Sequence, residues 1–159
     1  MKEVNLMQEH SHKLQNKYTS PYFNLAIKHR IQTLRINMYC STAFLTTNFL
    51  PQTTAILEET LPSVLMTECF NEENLPFRDE VNNTEIAHLF EHVLLEYLCL
   101  EKIADGTRDA CFSGRTHWNW IKYPKGSFFI NITMEKTDLV FLPTALQKTI
   151  VLMEQILKS

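Results

Sequence analysis

The chain has 159 residues, a formal net charge of -3 at pH 7, 45% hydrophobic and 21% charged residues, which suits one domain around one core and does not suit a nucleic-acid footprint. No apolar run approaches a membrane span, and the N-terminal MKEVNLMQEHSHK lacks the apolar stretch of a signal peptide. The three glycines form neither a P-loop nor a dinucleotide fingerprint, so chemistry run on ATP or NAD is not expected.

In chain order, residues 1–27 read as a polar N-terminal tail that carries His10 and His12. Residues 28–36 alternate like a strand, and residues 41–49, rich in Thr and Phe, read as a second one. The two could pair as a hairpin turning at residues 37–40. Leu50-Pro51 breaks the pattern. Residues 53–66 then read as a helix with Ile56, Leu57, Leu61, Val64 and Leu65 inward, kinked or split at Pro62. Residues 67–83 form an acidic loop containing Glu68, Glu72, Glu73, Asp79 and Glu80. It is either a solvated connection or a rim for cationic substrates.

The strongest helix signal spans residues 82–103. Ile86, Leu89, Phe90, Val93, Leu94, Tyr97 and Leu98 recur at helical spacing. Asn82 with Glu85 resembles a capping box, and Asp105-Gly106 supplies a stop. Residues 111–122 read as a strand containing Trp118 and Trp120. Tyr123-Pro124-Lys125-Gly126 is a hairpin turn, and residues 127–135 are the clearest strand. Pro143 suits the first turn of a last helix, with Leu142, Leu146, Ile150, Val151 and Ile156 on its apolar face. The order β-β-α-α-β-β-α predicts an α+β fold for residues 28–159. It is a single domain with a mostly antiparallel four-stranded sheet and about three helices on one face. Edge strands leave room for a homo-oligomer.

Within the central helix lies His88-Leu89-Phe90-Glu91-His92, the pattern H-x-x-E-H. At about 100° per residue the two histidines fall about 40° apart and one turn along, so both imidazoles can reach one metal ion. Glu91 points about 100° away from His92, near the metal and free to handle a proton. This is the inverted zinc-peptidase arrangement. Leu95 and Cys99 share the histidine face, which is therefore not a water-facing surface. Enclosed histidines need partners. The bland alternative is a solvated face with two ordinary histidines.

The segment TEIAHLFEHVLLE, followed by Gly114-Arg115-Thr116 and a turn into a strand ending at Glu135, resembles the N-terminal domain of cyanophycin synthetase. Leu34 to Ser41 (LRINMYCS) and Leu61-Pro62-Ser63-Val64 followed by Cys69 fit the same alignment, which covers roughly residues 30–159. This chain departs from the pattern at Ile36 and Asn37, where the family has Gly and Pro, at His117, where it has Arg, and in the acidic NEENLPF after Cys69. The resemblance implies a domain that binds an Asp/Arg polymer and, in some members, hydrolyses it with zinc. The H-x-x-E-H layout is also similar to that of S-ribosylhomocysteine lyase.

On this reading the cofactor is zinc, held by His88, His92 and a third ligand. Cys69 matches the family cysteine; Glu135, Glu96 and His117 are the alternatives, Glu96 lying a further turn along the helix. Glu91 is the catalytic base. Arg115 and His117 are candidate substrate-binding residues, Arg115 for a carboxylate or an oxyanion. The expected function is zinc-dependent hydrolysis of a peptide or isopeptide bond, with a peptide or an Asp/Arg polymer such as cyanophycin as substrate. No nucleic-acid or membrane partner is expected. The alternative is a non-catalytic module that binds such a polymer or a protein. Four cysteines without a secretion signal predict a cytoplasmic setting.

Overall fold

The computed structural model describes residues 15–69 and 75–159. His10, His12, Glu72 and Glu73 lie outside the described residues. The fold is α+β. A five-stranded antiparallel sheet of order β1-β2-β3-β5-β4 is built from β1 (Lys17–Thr19), β2 (Phe23–Arg30), β3 (Thr33–Cys40), β4 (Ser113–His117) and β5 (Ser127–Thr133). Three α-helices, α1 (Thr53–Thr60), α2 (Ile86–Ala104) and α3 (Leu142–Leu157), accompany it.

The sheet has five strands rather than four because it begins before residue 28. Phe23, Leu25 and Ile27 are buried and alternate with Asn24, Ala26 and Lys28, which are exposed, as a strand with one covered face requires. The expected strand over residues 28–36 is interrupted at its centre. Arg30 pairs with Thr33, and Ile31 turns the chain at φ +55° with its side chain exposed. No Gly, Asn, Asp or Pro marks this turn, so sequence punctuation gives no sign of it. A β-branched residue is strained in the left-handed region, whereas Asn tolerates it. Ile31→Asn is therefore expected to stabilise the fold by about 1 kcal/mol, read as a higher urea midpoint at unchanged slope.

Leu34, Ile36, Met38 and Cys40 of β3 and Phe128, Ile130 and Ile132 of β5 continue the buried face begun on β2. The β4–β5 connection ends at Gly126, at φ +96°, where an added Cβ would stand 2.7 Å from the Cys40 carbonyl oxygen. The expected strand over residues 111–122 is shorter, because the chain leaves the sheet after His117. Trp118 and Trp120 then pack around Phe128, with centroids 5.6 and 5.5 Å away, and Trp120 Nε1 donates to the Ser127 carbonyl. The tryptophans thus serve packing.

Residues 41–49 are not a second strand of the sheet. They cross to the start of α2, where Thr46 bridges Glu85 and the Thr47 N–H donates to the Thr84 carbonyl. Pro62 splits the predicted helix over residues 53–66 as expected, into α1 and a 3-10 segment, Pro62–Met66. Helix α2 is the centre of the fold. Ile86, Leu89, Phe90, Val93, Leu94 and Leu98 are buried in the core, with Phe90 edge-on to Phe23 of the sheet. Helix α3 buries Leu142, Ala145, Leu146, Leu152, Met153 and Ile156, while Val151, expected inside, is 54% exposed. The helical segment Lys136–Leu157 has the length and mean hydropathy (1.2) of a candidate membrane span. Its apolar side forms part of the core beside α2.

Candidate metal centre

Helix α2 does not start on an Asn82–Glu85 capping box; its N-cap, Glu85, makes no side-chain cap bond. Tertiary contacts replace it. The Ile86 N–H donates to the Leu45 carbonyl, and the Thr84 N–H donates to Thr47 Oγ1, whose hydroxyl donates to the Val81 carbonyl. Thr47 is buried, so this clamp is sheltered from water. It fixes Thr84, and Thr84 Oγ1 lies 2.7 Å from His88 Nδ1, one helical turn on.

On the other side of the centre, the 3-10 segment Pro62–Met66 delivers Thr67 and Cys69. Thr67 Oγ1 donates its proton to the Val64 carbonyl and lies 3.4 Å from His92 Nδ1. With its own proton committed, the hydroxyl can only accept from His92 Nδ1–H. That tautomer leaves His92 Nε2 as a bare lone pair. Phe77 stacks on the His92 ring at a centroid distance of 3.9 Å and an angle of 9°, which fixes the ring plane.

Three donor atoms converge. His88 Nε2 is 3.1 Å from His92 Nε2 and 3.4 Å from Cys69 Sγ, and the ligand atoms of Cys69, His88 and His92 all lie within 4.8 Å of one another. This group could hold a metal ion. Burial, and then the neighbouring His88, push the His92 pKa down to about 3. Burial also lowers that of His88, against the carboxylates of Glu80 and Glu85. Neutral imidazoles are the form that binds a metal.

Glu91 is 4% exposed. Thr116 Oγ1 of β4 donates to Glu91 Oε2 at 2.5 Å. Burial, partly offset by this hydrogen bond, raises the Glu91 pKa to about 7. Gly114 fits closely beside it, since an added Cβ would stand 3.1 Å from Glu91 Oε1 and 3.3 Å from the Asn131 carbonyl oxygen. Gly114→Ala is expected to cost about 1–3 kcal/mol of folding stability through this crowding, measured by urea denaturation.

Cys69, His88, Glu91 and His92 line one cavity of about 590 Å³, closed on other sides by α2 and β4. Of the alternative third ligands, Glu96 borders this cavity outside the three-residue group. Glu135 is exposed at the end of the β5 segment and does not line the cavity. The two substrate-binding candidates separate. On β4, Gly114 and Thr116 face α2, so Arg115 and His117 belong by alternation to the other sheet face. His117 stacks there on Phe129, with centroids 5.4 Å apart, and is not among the residues lining the cavity. Arg115 pairs in register with Asn131 and still borders the cavity, because β4 is an edge strand.

Sequence reasoning did not single out Thr67 or Phe77, and it met Thr84 and Thr116 only as members of the TEIAHLFEHVLLE and Gly114-Arg115-Thr116 segments, with no role assigned. For Thr84 a signal existed, since it stands four residues before His88. The other three depend on which loops and strands meet α2. Fold and site together define a two-layer α+β domain with a histidine–histidine–cysteine cluster and a buried carboxylate on its central helix. Comparisons with protein-family models, curated proteins and solved structures return no match.

Proposed function

We propose that this protein is a zinc-dependent hydrolase of a peptide or isopeptide bond. The observation that carries this reading is the convergence of Cys69 Sγ, His88 Nε2 and His92 Nε2 beside the buried carboxylate of Glu91 in a common cavity. A thiolate with two imidazoles suits zinc better than calcium or magnesium, which take oxygen ligands. Reference zinc–ligand bonds in a tetrahedron put neighbouring donors about 3.3–3.6 Å apart. The two separations from His88 Nε2, 3.1 and 3.4 Å, are close to that, while Cys69 and His92 lie within 4.8 Å of each other. Three protein ligands leave a fourth position open, as catalytic zinc sites do.

When bound, zinc would lower the pKa of a water toward neutrality and polarise a carbonyl oxygen. Glu91, whose pKa burial raises in the metal-free protein, is placed to take a proton from the attacking water and give it to the leaving amine. Thr116 holds this carboxylate by one oxygen, and Gly114 leaves space beside the other. Thr84 and Thr67 orient the imidazoles from behind. Arg115 is the cationic group at the cavity border available to a substrate carboxylate or an oxyanion.

The resemblance to the cyanophycin synthetase domain makes an Asp/Arg polymer one substrate to try, beside short peptides. The test incubates zinc-loaded protein with each and detects new amino termini by mass spectrometry. Cleavage that stops on chelation and returns with zinc supports the reading. Absence of cleavage by protein with full zinc occupancy would leave a non-catalytic binding module.

A further inference from the structure

We propose that the substrate of this centre is an extended peptide that pairs with the open edge of β4 and sets an apolar side chain on Leu95, Cys99 and Ile103 of α2. This rests on the hydrolase reading and selects its substrate class.

Among the described residues, strand β4 is last in the sheet order and pairs with β5 alone. Ser113, Gly114, Arg115 and Thr116 border the same cavity as Cys69, His88 and Glu91. An unpaired strand edge offers backbone donors and acceptors to an added strand, so main-chain pairing can hold a peptide whatever its sequence. Here that edge runs beside the reactive centre.

The opposite wall gives the preference. Leu95, Cys99 and Ile103 follow Glu91 at four-residue steps, so they continue the Glu91 side of α2, and all three line the cavity. Leu95 and Cys99 are half-buried and Ile103 is 45% exposed, so the stripe is open to a ligand. At 1.5 Å per residue it extends about 18 Å from Glu91, the length of about five residues of extended chain. Ala110 and Phe112 line the same cavity from the segment leading into β4. The charged residues Glu68, Glu96 and Arg115 also border it. An apolar side chain on the stripe gains by burial. A carboxylate or guanidinium laid on the apolar side chains themselves would lose water, and it recovers that loss only by reaching past them to Arg115 or Glu96 at the rim. A polymer bearing only Asp and Arg would leave the stripe unused.

The test uses hydroxamates, which chelate zinc independently of the peptide attached, titrated into zinc-loaded protein by calorimetry. Acetohydroxamate reports the centre alone. Short peptide hydroxamates carrying Leu, Asp or Arg report the stripe, and an N-methylated version of the leucyl probe reports the strand edge. The leucyl probe is expected to bind at least about tenfold tighter than the aspartyl and arginyl ones. N-methylation should weaken it several-fold, and Leu95→Gln should erase most of its advantage. If acetohydroxamate binds but the three side chains bind alike, or the N-methylated probe binds as tightly as its parent, this inference is overturned and the hydrolase reading stands. If acetohydroxamate fails to bind the zinc-loaded protein, both fall.

Discussion

Purified protein reconstituted with zinc is expected to hold about one equivalent, and Cys69→Ser, His88→Ala and His92→Ala are each expected to weaken that binding by at least about a hundredfold. The size follows from the donor set. Cys69, His88 and His92 supply the whole cluster among the described residues, so each substitution removes a ligand outright. Even outer groups that merely orient a ligand are worth about 10–100-fold in metal affinity. Thr84→Val removes such an outer group, since Thr84 Oγ1 sits 2.7 Å from His88 Nδ1. Its loss should therefore be about tenfold and fall short of the ligand variants. Elemental analysis gives the stoichiometry, and competition with a chromogenic chelator gives the affinities. If the three ligand variants held zinc as tightly as the parent, the cluster would not be the site. A ranking with Thr84→Val the most damaging would point to loss of fold rather than loss of a ligand, and circular dichroism would separate the two.

Glu91→Gln is expected to retain its zinc and lose about 10²–10⁴ in kcat, the range a positioned general base contributes. The substitution keeps shape and volume in a site where Glu91 is 4% exposed, so packing changes little. What it removes is the ability to accept a proton. Thr116 Oγ1 can still donate to the amide oxygen, so the β4 contact survives. Activity is read on whichever substrate the parent cleaves, with zinc content measured on the same sample. A variant as active as the parent would exclude Glu91 as the base, and one that lost its metal would assign the residue to holding the centre together. The two outcomes differ from those of the ligand series, where metal and activity disappear together.

Much of the centre was legible in the chain because a helix has a fixed pitch. His88, Glu91 and His92 fall within five consecutive residues, and any α-helix there must bring the two imidazoles together and set the carboxylate beside them. The broad apolar face of α2 and the split at Pro62 were legible for similar local reasons, whereas the turn at residues 123–126 closes a longer connection that leaves the sheet after His117. The β2–β3 turn was not legible, because Ile31 and Gln32 carry no turn chemistry and their geometry is imposed by the strands on either side. Residues 41–49 have strand composition, but the tethering of Thr46 and Thr47 to residues 84–85 draws them away from the sheet.

Tertiary structure decided which distant residues join the helical motif, and for Cys69 it agrees with the family resemblance. Cys69 lies nineteen positions before His88, and only the path of the chain through the Pro62–Met66 segment brings its sulfur to 3.4 Å from the imidazole. Thr116 reaches Glu91, and His117 does not reach the cavity, because β4 presents alternate residues to opposite faces and the packing of α2 selects one of them. The sequence by itself determined the local geometry of His88, Glu91 and His92, since one helical turn fixes it. The third donor, the threonine supports and the strand edge at the cavity were decided by packing, since they depend on contacts between segments that no local spacing encodes.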